Sequence, residues 1–216
     1  MDERPLRDLR ALEREDAGLA LESGALEALL AVVEHICRRA DAIDAFFAGY
    51  RECDAEARRE VAAVEAELAA QRARQSEAER AVAAAEDDRE RELAERALAR
   101  AADHVAVAER TLSRTRSALS ALEHEAETLP RELERLEAEA RGVAANASGV
   151  REPGGGPREL ADWASHARAE LFVTRSQLDL RRDRVIREAN ELATAVLGEP
   201  TFGSTVAQAL HRVEAR

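Results

Sequence analysis

Lysine is absent from this chain of 216 residues, so every fixed side-chain cation is an arginine. Schiff-base chemistry on a lysine amine is thereby excluded. Aromatic residues are scarce, at 3%. A thick globular core relies on such large side chains. Here much of the 45% apolar fraction is alanine, which suits narrow seams between long helices. No run of about 18 apolar residues occurs, so no segment is predicted to span a membrane. The opening stretch, Met1 to Arg10, lacks the apolar centre of a signal peptide, and a cytoplasmic protein is expected. The two cysteines, Cys37 and Cys53, fall on one predicted helix. Sixteen residues of helix separate them by about 24 Å, so no disulfide joins them within a chain.

What is abundant is charge. Charged residues make up 35% of the chain and the net charge is −12, which disfavours nucleic acid as a partner. The charge is uneven. Residues 158–216 carry nine arginines and nine acidic residues, so the whole excess lies in residues 1–157. Alanine, glutamate, arginine and leucine at such density, with a heptad period, are the composition of long helices and coiled coils.

The heptad is present from Leu26 onward. One series reads Leu26, Val33, Ala40, Phe47, Asp54, Val61, Leu68, Gln75 and Val82. Its companion, three residues on, begins Leu29, Ile36, Ile43 and Tyr50 and ends at Ala85. A sustained repeat of 3.5 residues is the condition for a left-handed coiled coil. A second train runs through Leu98, Val105, Leu112, Leu119, Ala126, Leu133 and Ala140, and its companion ends at Val143. The trains are out of phase across Glu86 to Glu92, so the chain is predicted to reverse there. The expected fold is all-α: an antiparallel coiled-coil hairpin over residues 23–147, with a tip at about 86–92 and arms about 90 Å long. Flanks of the seam are apolar early (Leu30, Val32, Cys37, Phe46) and charged later (Arg58, Glu60, Glu65, Glu67). Additional helices are therefore predicted to cover the base only.

Residues 1–22 read as a separate short helix opened by Pro5, with Ser23 and Gly24 as the break and Ser23 as cap of the next helix. Pro130 either kinks the second arm or restarts it from Thr128. Residues 148–157, holding Pro153, the three glycines Gly154 to Gly156 and Pro157, read as a flexible linker. Residues 158–216 are predicted to form a long helix to about residue 197 and a short one capped by Ser204, both packing on the hairpin base.

The search for chemistry yields no catalytic, cofactor-binding or metal-binding residues. His35 and Cys37 are two apart and diverge on a helix. His104, His124, His166 and His211 lack zinc-ligand spacing, and no Glu-x-x-His pair occurs. Gly154 to Gly156 have no following lysine and no preceding strand, so they do not form a phosphate loop. Three features invite a functional reading. Asp54, Gln71 and Gln75 sit at seam positions, where polar residues either set register or line a wet seam. Phe46, Phe47 and Tyr50 are either core anchors or a partner's contact. Arg175, Arg181, Arg182, Arg184 and Arg187 interleave with Asp179, Asp183 and Glu188, as a solvated charged face does; the alternative is a docking patch for an acidic partner such as another copy's hairpin.

The stretch Glu86-Asp87-Asp88-Arg89-Glu90-Arg91-Glu92, followed by Leu93-Ala94-Glu95-Arg96-Ala97-Leu98, resembles the acidic turn and Leu-Ala-x-x-Ala-Leu of phage-shock-protein-A-like proteins, bacterial relatives of ESCRT-III. The resemblance covers about a dozen residues. It implies polymerisation on membranes and a first helix that inserts into lipid. Residues 1–22 carry interspersed charges and no bulky aromatic residue for such insertion. The expectation is a non-enzymatic scaffold or assembly protein with protein partners, itself among them, and no small-molecule substrate. Membrane remodelling is the alternative.

Overall fold

A computed structural model describes residues 4–215; residues 1–3 and 216, the outer ends of the first and last predicted segments, lie outside the described residues. Four helices make up the fold: α1 (Arg4–Ala84), α2 (Asp88–Asn146), α3 (Pro157–Leu197) and α4 (Val206–Glu214). No strand occurs among the described residues, and the fold is all-α. The chain divides into two compact units. Unit 2 is Ile43–Glu132, and unit 1 combines Met1–Ala42 with Leu133–Arg216.

Unit 2 is an antiparallel pair formed by the second half of α1 and the larger, first part of α2. Its sequence dictates the arrangement. At nearly every heptad position the side chain is buried or half-buried, and the positions between are mostly open to solvent. Leu68 packs with Val105, Ala108 and Leu112, flanked by Val61 and Val64. The reversal is tighter and earlier than the sequence predicts. It occupies residues 85–87, and the acidic residues after it form the first turn of α2 instead of the bend. Their chemistry explains the shift, because carboxylates favour the positive end of a helix. Asp87 Oδ1 accepts from the Glu90 amide at 2.7 Å and caps α2. Glu90 in turn accepts from the Glu86 amide at 3.3 Å. Pro130 neither breaks nor restarts the helix: α2 runs through it. The Thr128 hydroxyl donates back to the Glu125 carbonyl and so caps nothing.

Unit 1 holds the thicker packing. The predicted break at Ser23 and Gly24 is absent, and α1 continues across it as one helix. A helical glycine costs only about 1 kcal/mol relative to alanine. The stripe of Leu19, Leu26, Val33 and Ala40, all buried at seven-residue steps, holds its phase across the pair. The first leucines of α1 are covered. Leu9 and Leu19 share a core with Val185 and Ala189 of α3 and with Val206 and Leu210 of α4, and Leu6 and Leu12 pack against it.

Residues 147–156 do not behave as a bare linker. Val150 is buried. The Trp163 indole donates to the Arg151 carbonyl at 2.7 Å, and the Gly156 amide donates to Glu137 Oε1 at 3.1 Å. Pro157 then opens α3, whose far end is closed by Gly198 in the left-handed region (φ 73°). The cap of α4 is Thr205 rather than Ser204. Its hydroxyl accepts from the Gln208 amide while the Gln208 side chain accepts from the Thr205 amide, a complete capping box. Asn190 fixes the α3–α4 connection by donating to the Ser204 carbonyl, and Thr201 donates to the Asn190 carbonyl, both at 2.8 Å.

Candidate interaction surface

The two edges of the unit 2 seam are built differently. One edge is closed by three ion pairs between α1 and α2: Arg58 with Glu123 at 2.5 Å, Glu65 with Arg116 at 2.5 Å, and Arg72 with Glu109 at 2.8 Å. Each step of seven residues along α1 meets a step of seven back along α2, with the sign alternating. A slip of one heptad would set Arg58 against Arg116 and Glu65 against Glu109, like against like. The alternation therefore selects a register by repulsion in the wrong one as well as attraction in the right one. Asp54 belongs to this edge. It takes both oxygens to Arg58 Nε, at 3.0 and 2.9 Å. That hydrogen bond, then the Asp54 and Glu123 charges, hold the Arg58 pKa above the ordinary arginine range.

The opposite edge is open. Ala63, Val64, Val107 and Ala108 form the apolar part of a groove of about 520 Å³, with Glu60, Glu67, His104 and Thr111 around it. Val107 is 53% exposed. Gln71 also lines the groove and is 8% exposed. Its amide nitrogen donates to Glu67, but its Oε1 is buried and meets no donor. An acceptor buried without a donor carries a desolvation cost of about 1–3 kcal/mol. Of the three polar seam residues, Asp54 thus serves register and Gln71 borders a groove while itself buried. Gln75 donates to Glu79 on its own helix at 3.1 Å.

In unit 1 the basic stretch of α3 is turned to internal use. Arg175 pairs with Glu27 at 3.0 Å, Arg182 with Asp16 at 2.8 Å and Arg181 with Glu15 at 3.9 Å, all on α1. Arg168, earlier on α3, pairs with Glu34 at 3.4 Å. The hydrogen bond to Asp16 and its charge raise the Arg182 pKa. Arg187 donates to the Asp183 carbonyl at 3.5 Å rather than to its carboxylate, and Arg184 is exposed. So three of the five arginines join α3 to α1, a role that the spacing within α3 alone could not reveal.

The ring of Phe46 contacts those of Phe47 and Tyr50. Phe46 lies 5.5 Å from Phe47, edge to face, and 5.5 Å from Tyr50. Phe47 is 37% exposed. All five histidines are exposed. Cys37 and Cys53 are free thiols, and Cys37 Sγ stands 3.8 Å from Asp41 Oδ2 and 3.9 Å from Ser165 Oγ. Among the described residues no three His, Cys, Asp or Glu side chains converge on a point. No helix of the described residues is long and apolar enough to cross a membrane. No protein-family model, curated protein or solved structure matches the chain.

Proposed function

We propose that this is a non-enzymatic coiled-coil scaffold or assembly protein that joins protein partners and associates with itself. The observation that carries the reading is the way unit 2 is built. Its two helices bury little beyond a seam, and alternating charge pairs hold that seam in one register. Such an element keeps surfaces at fixed positions along its length. A membrane-inserting first helix would have to withdraw Leu9 and Leu19 from the core they share with α3 and α4, at a cost of about 1.5–3 kcal/mol for each leucine.

Proximity labelling in cells, with the labelling enzyme fused to the chain, tests the reading. A small, reproducible set of labelled proteins is expected, and it should shrink when residues 50–125 are replaced by a short turn. A profile no different from that of the free labelling enzyme would refute the scaffold role. Anionic liposomes supply the counter-test, with the protein expected to stay in the supernatant.

A further inference from the structure

The open edge of unit 2 presents an apolar strip, two acidic residues and a buried acceptor that lacks a donor. We infer that this edge is the contact surface for a second copy of the same chain. The inference rests on the scaffold reading and specifies its self-association.

The charges of the strip complement themselves. On the α1 side the groove carries Glu60 and Glu67. On the α2 side Arg114 follows Val107 at seven residues, two helical turns along the same strip, and is exposed. Because Glu65 stands opposite Arg116, the antiparallel register puts Arg114 level with Glu67. A two-fold axis running along the groove would lay α1 of one copy over α2 of the other, antiparallel and at the same level. Arg114 of each copy then faces Glu67 of the other. It stands one turn along the helix from the level of Gln71. Val107 loses its exposure against the strip of the partner.

The residues beside the groove permit close approach. Ala63 and Ala70 on α1, and Ala118 and Ala121 on α2, are exposed and small. Glu60 to Gln71 is about 16 Å of helix, or three turns. The contact is isologous, since each copy contributes the same surface, and a closed dimer results. A purely acidic groove would repel its own copy. Arg114, level with Glu67, removes that objection.

Light scattering on the full chain across a concentration series tests the inference. The wild type is expected at twice the chain mass of 23.6 kDa. Val107→Glu and Arg114→Glu should each weaken dimerisation more than about tenfold, with the helical circular dichroism unchanged because both side chains are exposed. Combining Arg114→Glu with Glu67→Arg restores opposite charges across the axis and should restore the dimer. A wild type that stays monomeric up to its solubility limit overturns the inference. So does a dimer indifferent to both single substitutions, which would use another surface, or a double variant that fails to recover. Binding of a synthetic arginine-bearing amphipathic helix to a monomeric wild type would give the groove to a foreign partner and overturn it likewise. A monomeric wild type removes self-association from the proposed function but leaves the proximity-labelling result untouched, so the failure of this contact is distinct from a failure to join other partners.

Discussion

Helix α1 takes part in both units with one unbroken heptad, and yet the units pack differently. In unit 1 the positions beside the stripe are apolar or matched to arginines of α3. α1, α3 and α4 share a core there, and Trp163 is 2% exposed. In unit 2 the same flanking positions carry Arg58, Glu65 and Arg72, and only a seam is buried. The period of the apolar residues makes the helix; the width of the apolar face decides how many neighbours it acquires. A difference of this kind predicts different responses to the same type of damage.

The largest expected effect is in unit 1. Trp163→Ala removes a buried ring and its hydrogen bond to Arg151, and should cost about 3–5 kcal/mol in denaturant unfolding. Leu68→Ala in unit 2 should cost about 2 kcal/mol, the low end for such a truncation, because two helices can close around the missing volume. Equal losses at the two sites would erase the contrast. Pro130→Ala should raise stability by up to about 3 kcal/mol. Proline inside α2 has no amide to donate and crowds the carbonyl four residues earlier. A melting temperature unchanged by that substitution would mean that the helix is already distorted enough to accommodate the ring. The smallest effect belongs to the charge pairs. Glu109→Arg, opposite Arg72, should cost about 0.5 kcal/mol at low salt and less at high salt, as for other exposed pairs. A double variant that also carries Arg72→Glu should recover the loss.

Much of this architecture can be read from the residues. The heptads from Leu26 and Leu98 identify the seam positions, and apolar flanks identify the part that needs covering. The continuity of α1 was legible too, since Leu12 and Leu19 stand fourteen and seven residues before Leu26. Ser23 and Gly24 suggest a stop only when that longer phase is ignored. The bend is shorter than the acidic run suggests, because acidic residues are also the preferred first turn of a helix. Trp163 gives little local warning of its importance. Its role depends on Arg151, twelve residues away across a turn. The partners of Arg175, Arg181 and Arg182 lie about 150 residues or more earlier in the chain, where no local spacing rule reaches. The open groove is also a product of two helices, because Glu60 and Val107 meet only after the register is fixed.

That register also implies an order of events. The capped turn at Asp87 closes the shortest loop in unit 2. Arg72 and Glu109 are 37 residues apart, Glu65 and Arg116 are 51, and Arg58 and Glu123 are 65. Each pair, once made, leaves only fourteen further residues to gather for the next, so the arms can zip from the bend outward at little entropic cost. Asp87→Ala removes the cap at the starting point and is expected to slow refolding in stopped-flow measurements while changing the unfolding rate little; the reverse pattern would place the first contact elsewhere along the arms.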